Sequence, residues 1–163
     1  MKTMTNATEA TATTPVESFE IRNEVEIAAP IDVSFQALLD ELGPEGRGPD
    51  DKPLSMKLEA WPGGRWYRDL GNNAGHLWAH VQVIKPPTLL ELYGPMPMSY
   101  PALNHVQYRL KAEGSRTRLT FVHKAMGLLL PEHRDGMPEG WGHWLNGIRD
   151  LAERRARAGG SKK

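Results

Sequence analysis

The residue of this sequence best suited to acid–base chemistry is His123, which alternates with Leu119 and Phe121. Alternation at a period of two is typical of a strand and puts the three side chains on one apolar face. An imidazole on that face can orient a ligand by hydrogen bonding or transfer a proton. The alternative is a core histidine satisfied by backbone or tyrosine, and catalysis would need a second group that is not evident in the sequence.

Arg68 is a second polar candidate, because it alternates with Trp66 on an earlier predicted strand and both are expected to point inward. A buried guanidinium needs an acidic partner or an anionic ligand group, since an unpaired buried charge is strongly destabilising. The alternative is an outward Arg68, or an Arg68 paired with Glu59 or Glu91.

Metal and cofactor chemistry are not predicted. The chain has no cysteine, and His123, His133 and His143 recur at an interval that sets no common face across strand, loop and helix. The patterns of a zinc-binding HExxH helix, a GxSxG elbow, a phosphate loop and a dinucleotide-binding glycine turn are missing from the sequence. We therefore expect neither a metal site nor a cofactor.

The composition argues against several classes of partner. The 163 residues carry 20 Lys and Arg against 20 Asp and Glu, so no net field favours nucleic acid or an anionic membrane. No run approaches the ~20 apolar residues of a spanning helix, and residues 1–15 lack the apolar core of a secretory signal. Because cysteine is absent as well, the sequence predicts a soluble cytoplasmic protein, monomeric or homodimeric, whose protein partner is unknown.

The longest apolar stripe at helical period lies at 138–157 and predicts a long amphipathic helix. Its apolar face carries Trp141, Trp144, Leu145, Ile148, Leu151 and Ala152. Pro138 suits the first helical turn, and Gly159-Gly160 suits a stop. Such a helix is about 30 Å long, similar to a strand of about nine residues, so it can cover a whole sheet.

Upstream of this helix the sequence is mostly typical of strands. The strand-like segments are 19–27, 54–61, 65–70, 76–85, 88–93, 102–112 and 116–126. A short helix is expected after the first of them, between Pro30 and Leu42. The hairpin-like connections indicate an α+β fold with a curved, largely antiparallel sheet of about six or seven strands. The tails at 1–17 and 158–163 are expected to be disordered, which leaves a single domain at 18–157.

The order of these elements and several short motifs resemble the SRPBCC or START-like superfamily, whose fold is called a helix grip. Within it, the sequence resembles the branch named for the activator of the heat-shock-protein ATPase. The motifs are Trp61-Pro62-Gly63-Gly64-Arg65-Trp66, the run 81–90, His123, and Gly140-Trp141 with Leu145. The resemblance covers roughly Ser18 to Ala156. It implies a cavity between sheet and helix, and the superfamily includes carriers of hydrophobic ligands, polyketide cyclases and aromatases, hydrolase-like proteins and chaperone regulators.

The walls of that cavity can be named if the apolar face of each strand points toward the long helix. They are Met56, Leu58, Trp66, Arg68, Ala79, Val81, Val106, Tyr108, Leu119, Phe121 and His123 from the strands, and Trp141, Trp144, Leu145 and Ile148 from the helix. On the strand 76–85, Leu77 is expected to share the face of Ala79, and Trp78 to take the other face. The alternative is that these side chains fill a solid core. The proline-rich segment 94–101, with its two methionines, is either a mobile lid or a surface loop.

The leading functional hypothesis is the binding of a small hydrophobic or aromatic ligand in this cavity. The first alternative is a cyclase-like or hydrolase-like enzyme that uses the same cavity, with His123 handling a proton, and whether there is any catalysis stays open. The second alternative is a chaperone-linked or other protein-interaction module, for which the chaperone link follows only from the family name.

Overall fold

The computed structural model describes residues 8–12 and 14–160 of the chain. Within them the chain forms, in order, β1 (Glu17–Ile27), α1 (Ile31–Leu42), β2 (Met56–Leu58), β3 (Arg65–Gly71), β4 (Ala74–Lys85), β5 (Leu89–Gly94), β6 (Ala102–Glu113), β7 (Arg116–Gly127) and α2 (Pro131–Gly160). The predicted tails fall partly on residues 1–7, 13 and 161–163, which lie outside the described part of the chain. Residues 158–160, also assigned to a tail, are the last of α2.

All of these strands belong to one antiparallel sheet in the order β1-β7-β6-β5-β4-β3-β2. Strands β2 to β7 follow one another as a meander, and β1 adds to the edge at β7. The β6–β7 hairpin pairs without a register shift from Ala102↔Gly127 to Glu113↔Arg116. The predicted α+β helix-grip fold, with its curved antiparallel sheet, is therefore confirmed.

Helix α2 extends further toward its N-terminus than the sequence suggested. The prediction that Pro138 opens the helix is wrong, because the helix begins at Pro131 and Pro138 lies inside it. Pro131 suits the first turn, where its missing N–H is not needed, and the Leu130 carbonyl accepts from His133 and Arg134. Pro138 leaves the Arg134 carbonyl without its helical donor, and water can satisfy that carbonyl because Arg134 is exposed.

The face of α2 that the sequence predicted to be apolar is the buried face. It consists of Trp141, Trp144, Leu145, Ile148, Leu151 and Ala152. Helix α1 packs against α2 and buries Phe35, Leu38 and Leu42. At the far end of the sheet, Glu153 Oε1 accepts a hydrogen bond from the Ala28 amide at 2.9 Å, which ties α2 to the end of β1. Neither described helix combines the length and the apolar character that a membrane crossing requires.

A bulge in β4 changes which side chains of that strand face inward. Trp66 pairs with Ala79 and Tyr67 pairs with Leu77, so Trp78 is the extra residue. The Trp78 ring meets Trp66 edge-on, with 5.1 Å between ring centroids. The prediction that Leu77 lies inward and Trp78 outward is therefore wrong, because Leu77 is exposed and Trp78 packs on the buried Trp66.

Candidate functional site

The side chains predicted to wall a cavity come together between the sheet and α2, where they pack against one another. One buried cluster contains Met56, Trp66, Ala79, Val81, Val106, Tyr108, Leu119, Phe121, Trp141, Trp144, Leu145 and Ile148, and Leu58 packs against it. The rings of Phe121 on β7 and Trp141 on α2 lie 4.8 Å apart between centroids. Entry of a ligand at this position would therefore require a side chain to move.

Arg68 does not join this cluster. It is exposed, and its Nε donates to the Leu54 carbonyl at 3.1 Å, so the inward position predicted for it is wrong. The physical reason is that water and a backbone carbonyl solvate the guanidinium without the cost of burial. Glu59, one of its expected partners, instead accepts three hydrogen bonds from Arg65, two from the guanidinium at 2.7 and 2.8 Å and one from the backbone amide at 2.9 Å. Those bonds lower the pKa of Glu59 to about 2.

Three polar side chains form a relay through this otherwise apolar interior. Trp141 Nε1 on α2 donates to His123 Nδ1 on β7 at 2.9 Å, and His123 Nε2 lies 2.7 Å from Asn104 Oδ1 on β6. The directions are fixed, because an indole N–H can only donate and a neutral imidazole carries one N–H. His123 is therefore the Nε2–H tautomer and donates to the Asn104 oxygen. The Asn104 amide hydrogens point away from it.

Burial keeps His123 neutral. The side chain is fully enclosed, and the loss of solvation lowers its pKa to about 4, with a further contribution from the charge of His105. The ring of Phe19 meets it edge-on at 5.2 Å between centroids. Because both ring nitrogens have protein partners, this conformation gives His123 an orienting role and leaves neither nitrogen free for proton transfer. Its partners are tryptophan and asparagine, where the core-histidine alternative anticipated backbone or tyrosine.

Asn104 is a residue of this region that sequence reasoning did not select. The available signal was its alternation with Val106 on a strand face that is otherwise apolar. The hairpin register brings it diagonally across from His123. Its Nδ2 donates to the Gly94 carbonyl at 3.1 Å and faces the Met98 sulfur at 3.6 Å. Asn104 therefore connects the relay to the segment between β5 and β6.

That segment covers one end of the interior. Met96 and Met98 are buried, so it is not an ordinary surface loop in this conformation. Met96 has a φ of 56°, in the left-handed region, which costs a non-glycine residue about 1–2 kcal/mol. The Tyr100 hydroxyl and His133 Nδ1 form a hydrogen bond of 2.8 Å, which ties the segment to the first turn of α2.

Tyr108 presents a fully buried hydroxyl with no hydrogen-bond partner among the described residues. Its ring packs against Phe121 at 5.2 Å between centroids. Burial raises the pKa of the phenol well above its ordinary value, so the hydroxyl keeps its proton. A buried donor without an acceptor costs about 1–3 kcal/mol. Trp78 Nε1 is likewise buried with no hydrogen-bond partner among the described residues.

No group of three histidine, aspartate or glutamate side chains within residues 8–12 and 14–160 is arranged to hold a metal ion. The histidines that recur in the sequence occupy three separate settings. His123 belongs to the relay, His133 bonds to Tyr100, and His143 Nε2 donates to the Arg47 carbonyl at 2.9 Å.

Comparison with known proteins places the chain among structures of the same fold. A family model described as activator of Hsp90 ATPase homolog 1-like protein matches residues 52–153. No curated protein matches the chain. An uncharacterised protein from Rhizobium leguminosarum is 19% identical, and the match covers 88% of this chain and 99% of the other, with a TM-score of 0.68. A protein from Rhizobium loti is 18% identical over 84% of this chain and 99% of its own, with a TM-score of 0.64. The Aha1 dimer from Colwellia psychrerythraea is 17% identical over 83% of this chain and 96% of its own, with a TM-score of 0.59.

Proposed function

The chain belongs to the family of activator of Hsp90 ATPase homolog 1-like proteins. We propose that it binds a small apolar or aromatic molecule between the sheet and α2. The family match and the common fold confirm the resemblance carried by the sequence motifs. Neither of them names a ligand. The proposal is therefore argued from the side chains of this chain.

The observation that carries the proposal is the unpartnered hydroxyl of Tyr108 on the inner face of β6. Packing does not require this hydroxyl, since phenylalanine would fill the same space. A ligand oxygen or nitrogen that reached Tyr108 would convert a destabilising group into a hydrogen bond. Binding would then recover a desolvation cost that the free protein already bears.

The walls favour a neutral ligand. Apart from the aromatic side chains, the buried polar side chains of the described chain are Ser34, Asn104, Thr117 and His123, and none of them is ionised near neutral pH. A charged ligand group would lose its hydration there without meeting an opposite charge. The rings of Phe121 and Trp141 offer flat apolar surfaces that suit an aromatic body.

A ligand screen on the purified protein tests the proposal. The compounds are neutral, aromatic or apolar, and carry one acceptor atom, and binding is measured by thermal shift and by tryptophan fluorescence. A ligand present at one hundred times its Kd should add about 2.7 kcal/mol to the free energy of unfolding, or about 8 °C to the Tm. If no compound of this class binds, the proposal loses its support.

The Tyr108→Phe variant makes the test specific to the site. Without ligand we expect its Tm to be unchanged or raised, because the unpartnered hydroxyl is removed while the ring packing is kept. Its affinity for a ligand found in the screen should fall about five-fold, which is the value of one neutral hydrogen bond. Tyr93→Phe, at an exposed tyrosine, is the matched control and should change neither quantity. Equal affinity of wild type and Tyr108→Phe would remove Tyr108 from the site.

The proposal includes the cytoplasmic location and the monomeric or homodimeric state that the sequence predicted. The relative from Colwellia psychrerythraea is described as a dimer. Light scattering on the purified chain distinguishes the two states.

A further inference from the structure

The direction of the hydrogen bonds in the relay determines which atoms of the Asn104 amide face the segment between β5 and β6. Trp141 donates to His123, and His123 donates to Asn104 Oδ1, so the amide presents both of its N–H bonds to the other side. One meets the Gly94 carbonyl at 3.1 Å and the other faces Met98 Sδ at 3.6 Å. Because Asn104 is fully buried, bulk water does not supply a better acceptor.

Met98 is a weak partner for this donor. A thioether sulfur accepts a hydrogen bond less well than a carbonyl or hydroxyl oxygen. The Met98 side chain is buried in a small apolar cluster with Ala125 and Leu129. An unbranched methionine adapts its shape easily, and the same segment holds Met96 in a costly left-handed conformation. Met98 therefore occupies an apolar space that ends at a strong donor, and a ligand that displaced it would have to replace its apolar contacts.

We propose that the Asn104 amide is the donor that recognises the ligand, and that the Met98 side chain holds the place of the ligand until a ligand displaces it. This inference rests on the proposed function and gives it a second recognition point. Asn104 and Tyr108 lie on the same face of β6, about 13 Å apart along the strand, so a ligand that bonds to both is elongated and a small probe reports on the Asn104 end alone.

The chemistry at Asn104 selects an uncharged molecule with a carbonyl, ether or hydroxyl oxygen on an apolar or aromatic body. The oxygen accepts the N–H that the Met98 sulfur now accepts weakly. The body takes the position of the methionine against Ala125 and Leu129. A carboxylate is disfavoured, because one neutral amide cannot compensate a buried charge.

The experiment uses a matched pair of probes, acetophenone and cumene, which have nearly the same shape and differ in the carbonyl oxygen. The full chain is prepared as wild type and as Met98→Ala, and each probe is titrated while the Trp141 indole and Asn104 amide signals are followed by nuclear magnetic resonance. In Met98→Ala we expect both probes to bind, acetophenone about five-fold tighter because of one neutral hydrogen bond. Both should bind the wild type more weakly, since Met98 competes for the same space.

Trp141→Phe, introduced into Met98→Ala, tests whether the relay sets the orientation of the amide. It removes the N–H that fixes the tautomer of His123, so the Asn104 amide loses one of its two orienting constraints and keeps only its hydrogen bond to the Gly94 carbonyl. We expect acetophenone to lose part of its advantage over cumene, while cumene keeps its affinity. The nitrogen chemical shifts of His123 should report the lost tautomer preference. If Trp141 acted only as packing, both probes would weaken alike and the orienting role would be refuted.

Equal affinity of the two probes for Met98→Ala, or no binding of either, would overturn the assignment of Asn104 and Met98. If the alanine variant does not fold, Met98→Val replaces it, because it keeps part of the packing, removes the sulfur acceptor and shortens the side chain that competes for the space; the same preference is expected. The proposed function is judged separately by the wild-type ligand screen and Tyr108→Phe. A ligand that binds the wild type without changing the Asn104 amide signals would refute only this inference.

Discussion

Acid should destabilise this protein in part through His123. Its pKa is about 4 in the folded chain, against an ordinary value of 6.5. Between these values the unfolded chain binds a proton that the folded chain does not, so this contribution to stability is complete above pH 6.5 and is lost as the pH falls toward 4. The difference between the two pKa values corresponds to about 3 kcal/mol of the free energy of unfolding. About 2 kcal/mol of this is lost between about pH 7 and about pH 4.5.

The surroundings of His123 explain the size of this effect. Trp141, Asn104 and Phe19 contact the ring and carry no charge that could compensate an imidazolium. The charge of His105 disfavours protonation further. A proton on Nδ1 would also remove the acceptor of the Trp141 indole N–H, so acid should loosen the attachment of α2 to β7.

The matched variant for this prediction is His123→Gln. Its side-chain oxygen can accept from Trp141 and its nitrogen can donate to Asn104, but it does not titrate. Urea denaturation of both proteins at about pH 7 and about pH 4.5 should show the wild type losing about 2 kcal/mol more than the variant. Other groups titrate in both proteins and cancel in the comparison. If the two proteins lose stability in parallel, the neutral relay is refuted.

Two pairs of glycines give further predictions, each with its own control. Gly140→Ala should raise the free energy of unfolding by up to about 1 kcal/mol, because its Cβ meets open space, whereas Gly147→Ala should gain less, because its Cβ would lie 2.3 Å from Glu41 Oε1. Equal gains in the free energy of unfolding of the two variants, measured by urea denaturation, would contradict this. Burial now raises the pKa of Glu41, so its displacement into water in Gly147→Ala should also lower that pKa. Gly64→Ala should cost about 3 kcal/mol of the free energy of unfolding, because its Cβ would lie 1.9 Å from a backbone carbonyl oxygen. Gly63→Ala should cost about 1–2 kcal/mol, because its Cβ meets open space but its φ of +83° is unfavourable for alanine. The reverse order of Tm values would show that this turn rearranges.

The parts of the fold that the sequence predicted correctly are those that local pattern alone controls. The alternation around Phe121 and the helical stripe around Trp141 each specify one buried face, and both faces are buried in the structure. The errors occur where a local rule has two outcomes. Pro131 and Pro138 both have the sequence signature of a first helical turn, and Pro131 takes that role although Pro138 then costs the helix a hydrogen bond. The bulge at Trp78 depends on pairing between strands, so alternation along β4 does not reveal it.

The relay could be predicted only in part. His123 was recognisable as a polar residue on an apolar face, and Asn104 had the same signature on the neighbouring strand. Their contact depends on the hairpin register, which sets Val106 opposite His123 and so brings Asn104 within reach of the imidazole. Trp141 completes the relay from α2, at a distance along the chain where sequence pattern carries no pairing information. The contact between His123 and Asn104 could have been predicted from the sequence if the register set by the turn at 113–115 had been known.

Whether the inner face of the sheet encloses a ligand could not be predicted, because the same alternation of apolar residues describes a solid core and a cavity wall. The two differ in how the volumes of facing side chains add up, and that depends on rotamers and on the bulge at Trp78. In the structure the predicted wall side chains form one buried cluster in contact with one another, so volume does not support a binding site. The support comes from polar groups that a solid core would not need: the Tyr108 hydroxyl has no acceptor among the described residues, and the Asn104 amide has a sulfur where an oxygen would bind better. Both lie on the inner face of β6, which makes that strand the place where a ligand should first be sought.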